Sequence, residues 1–315
     1  MTSSGVRVIP PMIHIFYQKN FLEHSRHYPQ AQRALDSWKR YLPECKITLW
    51  HEDLPEFQQM LKSSRYLRAC YRYRLWPQVA DYVRAWVLFY YGGIYLDTDM
   101  VLLRNCEFLR MDSFFIFSVK LPREKEFKRP EFLPKDDFVI DPGMIGSVMG
   151  HPVLGEVLTI YNSEELFHSR MWIANSIFLV GLLRVAAQLD PSLIATGSFR
   201  EDTLNLRVSR HSDIFKYASA TSQALITGQN HISLQGKYII YSDKCLSACD
   251  DEETMRRKSD HPACCAWHIC RRTWDTFKTR AFVMNKHRSR LRLYFAMIGA
   301  SLKDKIYSLH KSLKD

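Results

Sequence analysis

The alternation of hydrophobic and polar positions along the chain indicates an α/β protein. VRVIPPMIHIFY (residues 6–17) and KITLWHE (46–52) are rich in apolar and β-branched residues, which predicts two strands. Apolar residues recur at helical spacing over residues 30–42 and again near 54–62. This rhythm of strand, helix, strand and helix is typical of a sheet flanked by helices.

The middle of the chain predicts a helix that leads directly into a strand. The helix begins at Pro77, a residue suited to a first turn, and ends at the pair Gly92 and Gly93. IYLDTDMVLL then predicts a buried strand that breaks at two aspartates and resumes. Further strands are predicted at 114–120 and 137–148, and further helices at 152–162 and 170–189. Two late strands are predicted at 237–242 and 264–269, with an acidic loop, DDEE, between them.

Length and composition predict one catalytic domain, residues 1–275, followed by a basic helical tail, residues 276–315. The chain has 315 residues, of which 46% are hydrophobic, so it can bury a large core. From residue 271 onward, twelve Lys or Arg residues stand against three Asp, a net +9 of the total +11. The remainder is almost neutral, so no specific nucleic-acid partner is expected.

The tail itself has two interpretations. Leu291, Phe295, Ile298 and Leu302 recur at spacings of three or four with basic residues around them, as in an amphipathic helix on an anionic membrane surface. The same pattern fits a helix that packs on the catalytic domain with a solvated basic face. No apolar run is long enough to span a bilayer and the N-terminus lacks signal-peptide character, so we expect a cytoplasmic protein, peripheral at the membrane face if the tail binds there.

The eight cysteines are expected to be reduced thiols in a chain without a secretion signal. Five of them and two histidines lie close together in the sequence: Cys245, Cys249, His261, Cys264, Cys265, His268 and Cys270. This group is either a structural zinc site or a set of small buried thiols; the spacing is not one of the paired C-x-x-C patterns.

Asp97 and Asp99 carry the strongest chemical signal. The strand is predicted to end at these aspartates. Both side chains can then face one ligand only if the backbone turns there. Strand ends are where α/β sheets place ligand sites, and two unpaired carboxylates among apolar residues are costly to desolvate. A divalent cation, Mg²⁺ or Mn²⁺, removes that cost; the alternative is an ordinary surface turn.

A second pair precedes the aspartates. Asp81 and Arg84 lie three residues apart on one helical face, so they form either an ion pair or two sides of a ligand site. Because that helix runs through the two glycines into the aspartate strand, the four side chains are predicted to line a single pocket.

These residues resemble the central motif of the D-x-D sugar transferases. ADYVRAWVLFYYGGIYLDTDM is similar to glycosyltransferase family 32, which includes mannosyltransferases and capsule or O-antigen enzymes, and to the related glucosylating toxins. RVIPPMIHIFY resembles the family's opening strand, with Tyr17 where tryptophan is usual, and IDPGMIGSVMGHPVLGEVL resembles the segment around "G-H-P". HICRRTW resembles the late "H-x-x-x-x-S-W" element, with Thr273 in place of serine.

The resemblance implies a GT-A fold, Mn²⁺ or Mg²⁺ as cofactor, and retaining transfer of a hexose from a nucleotide sugar. UDP-sugars are favoured over GDP-mannose as donors, and the acceptor is a glycan, a lipid-linked sugar or a protein. The implied site residues are Asp97, for sugar hydroxyls or the metal; Asp99, for the metal at the diphosphate; Asp81 and Arg84, for the donor sugar; Tyr95, beside the nucleotide; Tyr17, stacked on the base; His268, as third metal ligand or diphosphate contact; and Trp274, in a closing loop.

A different enzyme class shares part of this signal. DTDMV also fits the motif of haloacid-dehalogenase-type phosphohydrolases, in which Asp97 is the nucleophile and Asp99 the general acid and base. That alternative leaves Asp81, Arg84 and His268 without a role.

Overall fold

The computed structural model describes residues 9–17, 29–120, 138–163, 231–234, 238–241, 246–248, 252–260 and 264–269, together with a few single positions between 174 and 185. The strands are β1 (Met12–Phe16), β2 (Lys46–Trp50), β3 (Gly93–Leu96), β4 (Met100–Leu102), β5 (Phe114–Lys120), β6 (Phe138–Ser147), β7 (His231–Leu234), β8 (Tyr238–Tyr241), β9 (Leu246–Ala248) and β10 (Ala266–His268). The helices are α1 (Pro29–Tyr41), α2 (Pro55–Ser63), α3 (Arg65–Arg72), α4 (Trp76–Tyr91), α5 (Pro152–Asn162) and α6 (Glu252–Ser259), with a 3₁₀ turn at Glu107–Met111.

The larger of two sheets has the strand order β2-β1-β3-β6-β5-β8-β7. Strands β2, β1 and β3 run parallel, whereas β6 is antiparallel to both of its neighbours, β3 and β5. β8 returns parallel to β5, and β7 closes the edge antiparallel to β8. The predicted class, a mixed α/β sheet flanked by helices, is confirmed.

Both faces of this sheet are covered. Alternate residues of a strand point to opposite faces, and Tyr95 packs into the core cluster under α2 to α5, while its neighbours Ile94 and Leu96 pack into the cluster under α1. Phe16 and Ile15 divide in the same way between the two clusters. A strand that is buried on both faces explains why the sequence around β3 is almost wholly apolar up to Asp97.

The turn between α4 and β3 requires two glycines. Gly92 has φ +66° and Gly93 has φ +99°, and a Cβ on Gly93 would lie 2.8 Å from the carbonyl oxygen of Met12. Buried His14 holds this turn from β1. Its Nε2 donates to the Gly92 carbonyl over 2.8 Å, and its Nδ1 accepts from Trp50 Nε1 over 3.0 Å.

A smaller sheet, with the order β4-β10-β9, lies beside the first. The chain leaves the large sheet at Leu96 and enters the small one at Met100, so the three residues between them cross from one sheet to the other. Helix α1 covers the outer edge of β4, because Trp38 donates to the Met100 carbonyl over 2.7 Å and the Leu102 amide donates to Ser37 over 2.9 Å.

Most predicted elements within the described residues are confirmed, with ends shifted by a few residues. The prediction of a loop at DDEE is wrong for Glu252 and Glu253, because they form the first turn of α6. The positive end of the helix dipole stabilises negative side chains at this position. No helix among the described segments is long and apolar enough to cross a membrane. Trp274 and the tail 276–315 lie outside the described residues, and the division at residue 275 stays a prediction.

Candidate active site

Asp97 and Asp99 lie where the chain passes from the large sheet to the small one. The Asp97 amide donates to the Gly143 carbonyl over 2.8 Å, which continues the pairing of β3 with β6 for one residue. A tight turn follows, because the Met100 amide donates back to the Asp97 carbonyl over 2.9 Å. The break predicted from the sequence is therefore real, and it allows both side chains to reach one site.

Strand β10 brings His268 to the aspartates. β10 pairs antiparallel with β4, and His268 lies opposite Met100, the residue after Asp99. Its Nε2 is 3.4 Å from Asp99 Oδ1 and 3.9 Å from Asp97 Oδ2. One potential ligand atom from each of the three residues lies within 4.8 Å of the other two. The structure thus assembles the three side chains that the sequence named as metal ligands.

Arg84 links helix α4 to this group. Its guanidinium is almost fully buried, and Nη2 lies 2.9 Å from Asp97 Oδ1 and 3.1 Å from Asp81 Oδ1. Nη1 donates to the Pro142 carbonyl on β6. Arg84 therefore joins Asp81 to Asp97, which belongs to the same group as Asp99 and His268, while a ligand pocket formed by these side chains stays a prediction.

Tyr95 and Tyr17 occupy different positions around the site. The Tyr95 ring lies 4.8 Å beneath the Arg84 guanidinium and is only 1% exposed, so in this structure it supports Arg84. Tyr17 follows the carboxyl end of β1, and its amide donates to the Trp50 carbonyl over 3.0 Å. Because β1 and β3 are parallel neighbours, Tyr17 lies at the same edge of the sheet as Asp97. Contact of either tyrosine with a nucleotide stays a prediction.

Asp141 belongs to the site and was missed by the sequence analysis. The register between β5 and β6 shifts at this point, so that Ile116 pairs with Ile145 but Phe117 pairs with Asp141. The resulting bulge contains Pro142 and Gly143 and turns Asp141 toward His268, whose Nδ1 is 2.8 Å from Asp141 Oδ2. An acidic residue followed by Pro-Gly inside an apolar strand was the available signal, because both residues mark strand bulges.

The carboxylates of the site fall into two electrostatic groups. Burial raises the pKa of Asp97 to about 7 and that of Asp81 to about 6, although Arg84 opposes both shifts. Burial also acts on Asp99 and Asp141, but the neighbouring His268 outweighs it and lowers the pKa of each. Burial disfavours the charged form of Arg84, but the neighbouring carboxylates of Asp97 and Asp81 outweigh it and raise the pKa of Arg84 above its ordinary value.

The described carboxylates of the site outnumber its cationic groups. Four carboxylates, from Asp81, Asp97, Asp99 and Asp141, face Arg84 and one histidine. A surplus of negative charge among buried groups is costly, and a divalent cation between Asp97, Asp99 and His268 would compensate it. The donor set, two carboxylates and an imidazole, fits Mn²⁺ well and Mg²⁺ less well, since imidazole suits the transition metals.

The structure describes two of the clustered cysteines. Cys264 and Cys265 are buried thiols, and neither belongs to a potential metal-binding group within the described part of the chain. Cys245, Cys249, His261 and Cys270 lie outside the described residues, so the choice between zinc site and buried thiols stays open for them.

In a comparison with known protein families, residues 29–116 match the family "Glycosyltransferase sugar-binding region containing DXD motif". No curated protein sequence matches the chain. Among solved structures, the chain is similar to "PaToxG Glycosyltransferase", with 14% identity, coverage of 66% of this chain and 79% of that one, and a TM-score of 0.43. It is also similar to a "glycosyltransferase involved in the glycosylation of the major capsid of PBCV-1", with 9% identity, 85% and 95% coverage, and a TM-score of 0.32.

The family match covers the helix α4, the Gly-Gly turn and both aspartates, which are the features that carried the resemblance in the sequence. It favours a transferase over the phosphohydrolase alternative. Residues 29–116 therefore match a DXD-containing glycosyltransferase sugar-binding region.

Proposed function

We propose that this protein is a metal-dependent, retaining glycosyltransferase that transfers a hexose from a nucleotide sugar. The observation that carries the proposal is the convergence of Asp97, Asp99 and His268, whose ligand atoms lie within 4.8 Å of one another at the end of β3. These three residues would hold Mn²⁺ or Mg²⁺, and the cation would supply charge stabilisation for the diphosphate leaving group.

The chain's own residues prepare the donor site around that cation. Arg84 is held by Asp81, Pro142 and Tyr95, so it keeps Asp97 in one orientation when no ligand is present. The Asp97 and Asp81 side chains are 24% and 16% exposed, so each offers part of its carboxylate to sugar hydroxyls. We assign Asp97 and Asp81 to the hexose, and Tyr17, at the same sheet edge, to the base.

The engagement of the carboxylates supports retention by front-side attack. An inverting transfer needs a carboxylate or imidazole free to take the acceptor's proton. Among the described residues of the site, Asp81 and Asp97 accept from Arg84, Asp99 Oδ1 lies 3.4 Å from His268 Nε2, and Asp141 accepts from His268 and from the Gly143 amide. Front-side attack requires no protein nucleophile. Holding the donor and the acceptor in the reactive orientation lowers the barrier of the transfer.

The donor base and the acceptor follow from the family resemblance. We propose a UDP-sugar ahead of GDP-mannose as donor, and a glycan, a lipid-linked sugar or a protein as acceptor. A lipid-linked acceptor agrees with a basic tail that contacts an anionic membrane, a role that binding of the full chain to vesicles with and without anionic lipid would test.

A screen of nucleotide sugars for hydrolysis, with and without Mn²⁺, tests the proposal. We expect one donor to be cleaved only with the metal, and Asp97→Asn and Asp99→Asn to reduce the rate by about 100-fold or more. Asp53→Asn is the matched control, because that carboxylate is 88% exposed and lies outside the site. The anomeric configuration of the sugar released first, compared with that of the donor, tests retention. Cleavage that survives EDTA or both site variants would contradict the metal-dependent mechanism.

A further inference from the structure

Asp141 uses both of its carboxylate oxygens inside the protein. Oδ1 accepts the amide hydrogen of Gly143 over 2.8 Å, and Oδ2 lies 2.8 Å from Nδ1 of His268. The side chain is buried, with 6% of its surface exposed. Asp141 is therefore occupied as an acceptor on both sides and offers no free oxygen for a ligand of its own.

This arrangement determines which nitrogen of His268 carries the hydrogen. A carboxylate accepts but does not donate, so Nδ1 of His268 must be the donor to Asp141. In the neutral ring Nε2 is then left with its lone pair, and Nε2 is the atom that faces Asp99 and Asp97. A lone pair directed at two carboxylates is repelled unless a proton or a metal cation lies between them.

The surrounding backbone keeps Asp141 in place. Its bulge is anchored on both sides, by the bond from Arg84 to the Pro142 carbonyl and by the bond from the Asp97 amide to the Gly143 carbonyl. The space beside it is also narrow, since a Cβ at Gly143 would lie 2.9 Å from Asp141 Oδ1 and 2.9 Å from His268 Cε1. The carboxylate and the ring therefore have little freedom to rotate apart.

We propose that Asp141 is a positioning residue for the metal site, which fixes His268 in the Nδ1–H tautomer so that Nε2 is presented to a divalent cation held by Asp97 and Asp99. The inference rests on the proposed function, because it assigns the orientation of one ligand of that cation. Carboxylates that accept from the second nitrogen of a ligating histidine commonly raise metal affinity.

Asp141→Asn is a sharp test because the two side chains have nearly the same shape. An amide has only one acceptor oxygen, so it satisfies either the Gly143 amide or His268 Nδ1, but not both. If the oxygen remains with Gly143, the amide NH₂ donates to Nδ1 and moves the ring hydrogen to Nε2, where it blocks the metal. We expect Mn²⁺ affinity of the full chain, measured by titration calorimetry, to fall about 10-fold to 100-fold.

Two further measurements separate positioning from a general structural effect. In the His268→Ala background, Asp141→Asn should lower Mn²⁺ affinity by a clearly smaller factor than in the wild-type background, because only the loss of its charge then remains. Nitrogen NMR of the metal-free protein, labelled at histidine and titrated to the alkaline pH at which the His268 ring is neutral, should show the Nδ1–H tautomer for His268 in the wild type and its loss in Asp141→Asn. Asp53→Asn, at an exposed site, should leave both readouts unchanged.

The outcomes distinguish this inference from the proposed function. The positioning role is overturned, and the metal site is left intact, if Asp141→Asn binds Mn²⁺ as tightly as the wild type. The same conclusion follows if Asp141→Asn loses the same Mn²⁺ affinity in the presence and absence of His268. A wild type that binds no Mn²⁺ overturns the metal dependence and the inference together.

Discussion

Nη2 of Arg84 donates to Oδ1 of Asp97 over 2.9 Å, and this bond joins helix α4 to the end of strand β3. The two residues lie thirteen positions apart, on either side of the Gly-Gly turn. The same nitrogen lies 3.1 Å from Asp81, so one buried guanidinium serves two carboxylates. The positions of both carboxylates in the proposed donor site therefore depend on Arg84.

Arg84→Met should destabilise the metal-free protein by about 3 kcal/mol or more, because it leaves two buried carboxylates without their cation. Urea unfolding in EDTA at neutral pH measures the effect. Glu252→Gln is the control, since it breaks the exposed pair with Arg33 and should cost less than about 1 kcal/mol. Equal losses in the two variants would show that Arg84 has no special role in the fold.

Relative to the wild type, the stability of metal-free Asp97→Asn should increase as pH rises. Burial raises the pKa of Asp97 from 3.8 to about 7, so between these values the folded chain holds a proton that the unfolded chain releases. The Asp97 contribution to the free energy of unfolding is therefore present at low pH and falls as pH rises through this window, by at most about 4 kcal/mol. Asn has no proton to lose.

Urea unfolding of both proteins in EDTA, from pH 5 to pH 8, measures that difference. Saturating Mn²⁺ should reverse it, because the cation binds the ionised carboxylate of the wild type. A difference between variant and wild type that is constant with pH would contradict the raised pKa.

His14 should make the fold sensitive to acid. Burial lowers the pKa of His14 from 6.5 to about 4, although its bond to the Gly92 carbonyl opposes the shift. Protonation would also place a hydrogen on Nδ1, which accepts from Trp50. The unfolded chain therefore gains a proton first, and stability is lost as pH falls from about 6.5 to 4, by roughly 3 kcal/mol for this residue.

The free energy of unfolding of the wild type and of His14→Gln, measured across that range, tests the prediction. We expect the variant to be less stable at neutral pH but to lose less stability on acidification. An unchanged slope would assign the acid sensitivity to other groups, such as His151, whose pKa burial also lowers to about 4.

Gly143→Ala should impair the site while leaving the sheet folded. The added Cβ would lie within 3.0 Å of Asp97 Oδ2 and 2.9 Å of His268 Cε1, so these side chains must move apart. We expect Mn²⁺ affinity and donor cleavage to fall about 10-fold or more. Gly155→Ala, within helix α5, is the matched control. Among the described residues its Cβ would meet only Phe89, at 3.4 Å, and the substitution should stabilise the helix by up to about 1 kcal/mol without affecting activity. Equal activity of both variants would contradict the tight packing at Gly143.

Short-range patterns in the sequence were sufficient for much of the fold and for part of the site. The helix from Trp76 to Tyr91 was predicted within one residue at its start, because a proline in the first turn and a glycine after the last turn are local signals. Asp81 and Arg84 share a helical face for the same reason, and the aspartate pair was recognised because carboxylates are costly next to an apolar strand.

Pairing between distant strands decided the rest, because no local pattern reports which strand lies beside another. β10 carries His268 opposite Met100, and only this register places the imidazole beside Asp99. The bulge in β6 turns Asp141 toward that imidazole through a contact that spans 127 residues of sequence. The sequence by itself determined the residue types that the chemistry needs, whereas the tertiary structure decided which atoms of those residues meet.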